Sequence, residues 1–286
     1  MAPTKFKRGP YPAASETARG LRAEAECPQL TSDSYKLAFQ DLDFLLRDEL
    51  RPTRMHLELL KPELILQEHN IEETIVVFGS ARIPDPETAG QELVELQREL
   101  EKENTETASG QRLAQARNRV FCSRYYEEAR KLGGLISRQN ANGRKMVVIT
   151  GGGPGVMEAA NRGAWEEDRE SIGLNIVLPR EQAPNRYITP ELSFQFHYFA
   201  TRKMHFMMRA RGLVALPGGY GTLEELFETL TLLQTKKIQS IPVILFGREF
   251  WERIINFEAL VEEGMISPED LDLFRYCESA EQAWDI

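Results

Sequence analysis

The chain has 286 residues, of which 42% are hydrophobic, enough for one large α/β domain or two small ones. Lys and Arg number 35 against 44 Asp and Glu, which gives a formal net charge of -9. Bulk nucleic-acid binding needs clustered cations that an acidic chain rarely has, so we expect no nucleic-acid partner. A small phosphorylated ligand remains compatible with this charge, because a local site can be positive on a negative protein.

The cysteines and histidines do not form a recognisable metal or disulfide pattern. Cys27, Cys122 and Cys277 lie far apart without a CxxC pair, and the four histidines show no HExxH spacing. No apolar run approaches the ~20 residues needed to cross a bilayer. We therefore expect a cytoplasmic protein with no metal site and no membrane partner.

The first 70 residues differ from the rest of the chain. Residues 1–30 begin with a basic stretch rich in Pro, Ala and Ser, and Glu16 and Glu24 weigh against a transit peptide. We predict a disordered basic tail there. Residues 31–70 carry apolar residues at helical spacing and are predicted to form an N-terminal helical layer on a domain over residues 71–286.

Strand and helix patterns alternate through the larger domain. The predicted strands are Thr74–Phe78, Lys145–Thr150, Ser171–Leu178, Gly212–Leu216 and Ile241–Phe246. The predicted helices are Arg119–Gln139, Val156–Glu167, Thr201–Arg211, Thr222–Lys236 and Phe250–Glu263. Continuously apolar strands separated by helices predict an α/β fold with a doubly wound parallel sheet and flanking helices.

A charged segment at residues 86–118 interrupts this alternation between the first strand and its helix. Its thin apolar stripe of Leu93, Leu96 and Leu100 indicates an exposed helix or a helical hairpin, which we interpret as an insertion. The insertion could support oligomerisation, and a solvated helix without a specific role is an equally consistent interpretation.

A glycine cluster follows the second predicted strand. It spans Gly151 to Gly155 and precedes a helix that opens with Val156, Met157 and Glu158. Backbone N–H groups and the helix dipole at such a turn favour an anion. The spacing is neither GxGxxG nor a Walker loop, so it indicates a phosphate without specifying the nucleotide. A tight turn without a ligand is the alternative.

A second glycine-rich turn follows the fourth predicted strand and reads Pro217-Gly-Gly-Tyr-Gly-Thr-Leu-Glu-Glu225. Two such turns on neighbouring strand ends can hold one anionic group. Thr222 and Glu225 also match the capping-box pattern Ser/Thr-x-x-Glu, in which both residues only cap the helix. Spacing alone does not decide between these two interpretations.

Two further features lie at predicted strand ends or helix starts. The turn Gly79-Ser80-Ala81-Arg82 follows the first strand and offers a hydroxyl and a guanidinium, although such turns are usually ordinary loops. Arg202 and Lys203 lie near a helix start, where cations oppose the dipole, which indicates a role such as gripping a ligand.

Together these segments resemble the Lonely Guy family of cytokinin riboside 5'-monophosphate phosphoribohydrolases and related bacterial AMP nucleosidases, which were often labelled lysine decarboxylases. The family signature PGGxGTxxE is matched from Pro217 to Glu225, and the Arg-Lys pair lies 15 residues before Pro217. The resemblance covers roughly residues 71 to 265 and implies a Rossmann-like fold and a homodimer that completes each site, or a larger assembly.

The resemblance also implies roles for individual residues. Glu225 corresponds to the family's catalytic carboxylate, and Arg202 corresponds to its partner arginine. The glycine turns and Thr222 would contact the phosphate. The full set of predicted substrate-binding residues is Ser80, Gly152, Gly153, Met157, Glu158, Lys203, Gly218, Gly219, Gly221 and Thr222.

The reaction implied is hydrolysis of the N-glycosidic bond of a purine nucleoside 5'-monophosphate, with no metal and no cofactor. The leaving base could be adenine or a prenylated adenine. A nucleotide-binding or carrier protein without turnover is the first alternative. The second is a pyridoxal-phosphate lysine decarboxylase, for which Lys203 is the candidate Schiff-base lysine near the site.

Overall fold

The computed structural model describes residue 10 and residues 13–20, 27–103, 106–138, 145–179 and 183–286. The chain divides into two compact units, residues 1–68 and residues 69–286. The predicted tail over residues 1–30 lies largely outside the described residues, and within it Ala14–Gly20 forms helix α1. Among the described residues, none of the helices has the length and apolar character to traverse a lipid bilayer.

The first unit is less regular than the apolar pattern predicted. Its helices after α1 are α2 at Leu42–Leu45 and α3 at Arg51–Glu68. Two short 3-10 turns, Asp33–Tyr35 and Asp48–Leu50, occupy other parts of the segment. Before residue 51 the segment predicted to be helical thus forms only short helical turns, and its one long helix is α3.

The second unit contains a seven-stranded, all-parallel sheet among its described residues. The strands are β1 Glu73–Phe78, β2 Met146–Thr150, β3 Ser171–Ile176, β4 Ser193–Phe196, β5 Ala210–Ala215, β6 Val243–Phe246 and β7 Arg275–Cys277. Their order is β4-β3-β2-β1-β5-β6-β7, with Ile75 of β1 beside Val148 of β2 and Gly212 of β5. The predicted Rossmann-like, doubly wound sheet is confirmed.

The helices of the second unit pack on this sheet or belong to the segment that we interpreted as an insertion. They are α4 Pro86–Glu103, α5 Glu106–Cys122, α6 Arg124–Arg138, α7 Val156–Glu166, α8 Phe199–Met208, α9 Tyr220–Gln234, α10 Arg248–Ile254, α11 Phe257–Glu262 and α12 Ala280–Asp285. The ion pairs Arg112–Glu99 and Arg119–Glu92 show that α4 and α5 run antiparallel. The segment interpreted as an insertion is thus the hairpin α4–α5, which continues to Cys122.

Several predicted boundaries were wrong for local reasons. The helix predicted over Arg119–Gln139 is interrupted at Ser123, whose hydroxyl donates to the Val120 carbonyl oxygen at 2.7 Å. The helix predicted to reach Arg211 ends at Met208, because Arg211 already belongs to β5. The predicted helix Phe250–Glu263 is divided into α10 and α11.

The carboxyl ends of β1 and β5 meet at the point where the strand order reverses. From β1 the chain moves outward through β2 and β3 to the edge strand β4, and then returns to place β5 on the other side of β1. Ligands of open α/β sheets bind in the crevice at such a switch point. The turns that follow β1, β2 and β5 therefore form the candidate site.

Candidate active site

The three turns at the switch point are hydrogen-bonded to one another. The Ser80 amide donates to the Pro217 carbonyl oxygen at 3.0 Å, and the Val156 amide donates to the Ser80 carbonyl oxygen at 3.1 Å. A Cβ atom on Gly155 would lie only 2.4 Å from that same Ser80 oxygen, and Gly155 has a φ of +70°. Glycine is required there, because any side chain would separate the two turns.

A buried network of three polar side chains fixes the turn after β2. The Thr150 hydroxyl donates to Asn161 Oδ1 at 2.8 Å and accepts from the Gly152 amide at 3.0 Å. Asn185 Nδ2 donates to Asn161 Oδ1 at 3.0 Å and to the carbonyl oxygens of Gly152 and Gly153 at 3.2 and 3.1 Å. These contacts hold the glycine backbone in one conformation before any ligand binds.

Sequence reasoning missed this network. Asn161 is fully buried in α7, and an unexplained polar residue on a buried helix face is a signal that could have found it. Asn185 lies in an irregular segment more than 30 residues after the turn that it contacts, and nothing in the local sequence indicates that pairing.

The turn after β5 leads directly into α9, and its geometry contradicts the capping-box interpretation. The helix begins at Tyr220 with Gly219 as its N-cap, and no side chain provides a cap hydrogen bond. Thr222 is therefore inside the first helical turn, not at the cap, and Glu225 lies one turn later. Gly218 must be a glycine, because a Cβ atom there would lie 2.1 Å from Thr222 Oγ1.

Arg202 on α8 is held against the carboxyl ends of β2 and β3. Its Nε atom donates to the Leu174 carbonyl oxygen at 2.7 Å, and its guanidinium lies 5.3 Å from the centre of the Phe206 ring. A Cβ atom on Gly151 would come within 2.7 Å of Arg202 Nη2 and 2.8 Å of Met157 Sδ. Arg202 and Met157 therefore both border the glycine turn after β2.

Glu225 is a buried carboxylic acid, with 8% of the residue exposed. Burial raises the pKa of Glu225 to about 7, although the charges of Arg202 and Lys203 oppose the shift. Burial also lowers the pKa of Arg202 from its usual value, against the opposing influence of Glu225 and Glu224. A carboxylate and a guanidinium are thus electrostatically coupled where solvent is largely excluded.

Lys203 joins α8 to α9 through two ion pairs. Its Nζ atom lies 2.8 Å from Glu224 Oε1 and 3.0 Å from Glu228 Oε2. Burial opposes the charge of Lys203, but its hydrogen bonds to the two carboxylates outweigh burial and raise the pKa of Lys203. A protonated ammonium is a poor candidate for a Schiff-base lysine, which must react as the free amine.

Glu158 lies in the first turn of α7. Its Oε1 atom accepts a hydrogen bond from the Tyr126 hydroxyl at 2.9 Å. Burial raises the pKa of Tyr126 well above its usual range, so the phenol stays protonated and donates. One carboxylate oxygen of Glu158 is thereby oriented by the protein.

An open cleft of about 1060 Å³ begins at these turns. Four of the predicted substrate-binding residues line it: Ser80, Glu158, Gly218 and Gly219. The predicted residues Gly152, Gly153 and Met157 lie in or beside the turn after β2, while Gly221 and Thr222 lie in the first turn of α9. Arg202, Lys203 and Glu225 lie on α8 and α9, outside the cleft wall.

The arrangement provides two chemical elements side by side. Backbone N–H groups at the starts of α7 and α9 suit a phosphate. A buried carboxylic acid coupled to an arginine suits charge stabilisation or proton transfer. The structure therefore brings the predicted phosphate turns to one switch point, with Arg202 and Glu225 on the two helices beside it.

The chain is similar to a known protein family and to several plant proteins. The family described as "Possible lysine decarboxylase" matches residues 157–286. The chain is 34% identical over 161 residues to the cytokinin riboside 5'-monophosphate phosphoribohydrolase LOG1 of Arabidopsis thaliana, covering 52% of this chain and 71% of that protein. It is 31% identical over 185 residues to the probable cytokinin riboside 5'-monophosphate phosphoribohydrolase LOGL6 of Oryza sativa subsp. japonica, covering 59% and 70%.

Among solved structures, the chain resembles a molybdenum cofactor carrier protein from Chlamydomonas reinhardtii. The TM-score is 0.43 at 18% identity, over 74% of this chain and 93% of that chain.

Proposed function

Because the chain belongs to the family of the cytokinin riboside 5'-monophosphate phosphoribohydrolases, we propose that it hydrolyses the N-glycosidic bond of purine nucleoside 5'-monophosphates. The products are the free base and ribose 5-phosphate. AMP and cytokinin riboside monophosphates are the candidate substrates. The observation that carries this proposal is the buried Glu225, coupled to Arg202 beside the phosphate turns.

Binding begins with the phosphate in this proposal. The 5'-phosphate accepts hydrogen bonds from backbone N–H groups at the turns that contain Gly153 and Gly218, where two helix dipoles favour negative charge. The network around Asn185 keeps one of these turns in place. Fixing the phosphate positions the ribose, so that little freedom is lost on the way to the transition state.

Bond cleavage then uses the carboxylate of Glu225. The bond between C1' and the purine nitrogen breaks, the base leaves with a proton, and water forms the new bond to C1'. The ribose becomes oxocarbenium-like during this step, as in other glycosyl transfers. An ionised Glu225 stabilises that positive charge and orients the water, and Arg202 contacts ligand oxygens or assists the departing base.

The test is base release by the Glu225→Gln variant, measured by chromatography with AMP and a prenylated analogue. We expect a loss of about 100- to 10,000-fold in turnover, the usual range for a positioned acid–base group. Glu224→Gln is the matched control, because Glu224 is adjacent on α9 and pairs with Lys203 on the surface. Wild-type turnover in Glu225→Gln would remove the catalytic assignment. AMP binding without base release by the wild type would make this protein a nucleotide carrier.

We also propose that a second copy of the chain covers the outer face of α8 and α9. Large apolar side chains are exposed there: Met204 is 51% exposed, Met208 47%, Phe227 38% and Tyr220 92%. The same helices carry Arg202 and Glu225, so a homodimer on this face would close the site from solvent. We expect the Met208→Asp variant to be a monomer in analytical ultracentrifugation and to have reduced turnover in the activity assay. A wild-type protein that sediments as a monomer would contradict the proposal.

A further inference from the structure

The cleft that opens at the phosphate turns has walls that the proposed reaction does not use. One wall is a single face of α5, formed by Gln115, Asn118, Arg119 and Cys122 at spacings of three and four residues. The facing wall belongs to α10. The floor is the turns themselves. The α4–α5 insertion therefore faces the same turns that would hold the substrate phosphate.

The proposed catalytic pair lies on the other side of these turns. Right-handed crossovers place α6 and α7 on one face of the sheet and α8 and α9 on the other. Tyr126 of α6 and Glu158 of α7 line the cleft, whereas Arg202 and Glu225 belong to α8 and α9 and do not. A phosphate on the turns would have the glycosidic bond on one side and the cleft on the other.

From this arrangement we propose that the cleft is a binding subsite for a further group attached to the 5'-phosphate, such as a second phosphate or a phosphate-linked nucleoside. The ligand class is then a nucleoside 5'-diphosphate or a dinucleotide joined through its phosphates. This inference rests on the proposed function, because that function places the first phosphate on the turns. The volume of about 1060 Å³ lies just above the roughly 300–1000 Å³ typical of small-molecule pockets.

The cations of the cleft suit a second phosphate. Arg82 follows β1, Arg119 projects from α5 and Arg253 from α10, so three guanidinium groups line one cavity. Arg119 forms an ion pair with Glu92, which also lines the cleft, at an Nη1–Oε2 distance of 3.4 Å. Arg82 and Arg253 make no ion pair within the part of the chain that the structure describes. Guanidinium groups bind phosphate oxygens through paired N–H donors.

The carboxylates in the cleft wall are mostly engaged elsewhere. Asp85 accepts hydrogen bonds from the amides of Glu87 and Thr88 and from the Thr88 hydroxyl, so it caps α4. Glu158 accepts from Tyr126. Glu249 is exposed on α10 one turn before Arg253. Glu92, the fourth carboxylate of the lining, pairs with Arg119. Arg82 and Arg253, which form no ion pair among the described residues, and the helix starts in the floor therefore favour an anion in their part of the cleft.

The cleft also offers a surface for a flat ring. Phe121 at the end of α5 is 52% exposed, and the Arg124 guanidinium lies 4.0 Å from its ring centre. Arg124 holds the ring in one orientation through this cation–π contact. Phe250 and Ile254 lie in the α10 wall. A second nucleobase can stack on Phe121, because base–aromatic stacking is tolerant of the base.

Equilibrium binding by calorimetry tests the subsite, using the full chain with Glu225→Gln so that ligands are not consumed. The probes are AMP, ADP and diadenosine 5',5'-diphosphate. We expect ADP to bind about tenfold more tightly than AMP, because charge-assisted contacts to the second phosphate are added. Adding Arg253→Gln should abolish that difference and change the AMP dissociation constant less than about twofold. Arg117→Gln, on α5 but outside the cleft wall, is the control.

Phe121→Ala should weaken the dinucleotide about tenfold while leaving ADP unchanged, as expected from loss of one stacked base. Equal affinity for AMP and ADP would overturn the inference. It would also be overturned if Arg253→Gln weakened AMP binding and ADP binding by the same factor. The proposed function fails separately, if the wild type releases no base from AMP while the ADP preference persists.

Discussion

The side-chain amide of Asn185 donates a hydrogen bond to the carbonyl oxygen of Gly153 at 3.1 Å, across more than 30 residues of sequence. The same nitrogen also reaches the Gly152 oxygen and Asn161. Asn185 thus fixes the backbone of a turn that would bind phosphate without facing the ligand itself. It is a positioning residue for the proposed site.

Asn185→Ala should raise KM for AMP about tenfold or more with a smaller change in kcat, because the glycine turn loses its fixed conformation. Lost hydrogen bonds to buried groups should also lower the free energy of unfolding by about 1–3 kcal/mol. Asn256→Ala is the control, because Asn256 caps α11 and its loss costs about 1 kcal/mol without touching the turn. An equal KM in both variants would show that Asn185 acts only on stability.

The pH dependence of kcat/KM should report the ionisation of Glu225. The proposed mechanism needs the carboxylate, and burial raises its pKa to about 7, so kcat/KM should rise with pH and level off above about 8. Initial rates with AMP between pH 5.5 and 8.5 measure this. A flat profile across that range would contradict an essential carboxylate at Glu225.

Lys203→Met should shift the midpoint of the pH profile of kcat/KM to higher pH. The charge of Lys203 lowers the pKa of Glu225, and its removal also leaves the charges of Glu224 and Glu228 unbalanced, which disfavours another carboxylate. Lys237→Met removes an equal charge at an exposed position beyond the end of α9 and should leave the midpoint unchanged. Identical midpoints in both variants would show that Lys203 does not act on Glu225.

Glu225 should also make stability depend on pH. Its pKa is about 7 when folded and about 4.5 when unfolded, so the folded state binds more protons between these values. The contribution of Glu225 to stability is present below about pH 4.5 and is lost as pH rises through about 7. Urea unfolding of the wild type should therefore lose a few kcal/mol relative to Glu225→Gln between about pH 5 and pH 8. A constant difference across these pH values would contradict the raised pKa.

Gly218 and Gly221 should respond differently to alanine. A Cβ atom on Gly218 would collide with Thr222 Oγ1 at 2.1 Å, whereas nothing lies within 4 Å of a Cβ atom on Gly221. Gly218→Ala should lower the melting temperature and raise KM. Gly221→Ala should preserve or raise the melting temperature, because alanine favours a helix by about 0.5–1 kcal/mol. Equal melting temperatures in the two variants would contradict this contact.

Much of the sheet was predictable because its central strands are buried on both faces. The runs around Val76, Val148 and Leu213 are continuously apolar and fully or nearly fully buried. The edge strands β4 and β7 were missed, because they are short and carry polar residues such as Gln195 and Arg275. A strand of three or four residues is too short for its hydrophobic periodicity to be recognised in the sequence.

The site shows the same division between local and long-range information. The sequence alone identified the two glycine turns, their positions after strands and the PGGxGTxxE signature. The capping-box pattern at Thr222 and Glu225 was also visible in the sequence. Because α9 begins at Tyr220, Thr222 is not the N-cap residue and the capping box does not form. The helix starts two residues before Thr222, with Gly219 as its N-cap, and the residue pattern alone does not indicate that start.

The sequence by itself determined the parallel α/β architecture, the glycine-rich turns and the family, because these depend on local runs of residues. Only the tertiary structure decided that Asn185 holds the turn after β2, that Glu225 has a pKa near 7, and that the α4–α5 insertion faces the turns. Each of these depends on burial or on contacts between residues distant in the chain. Such contacts arise from how the crossovers stack on the sheet, which no local pattern specifies.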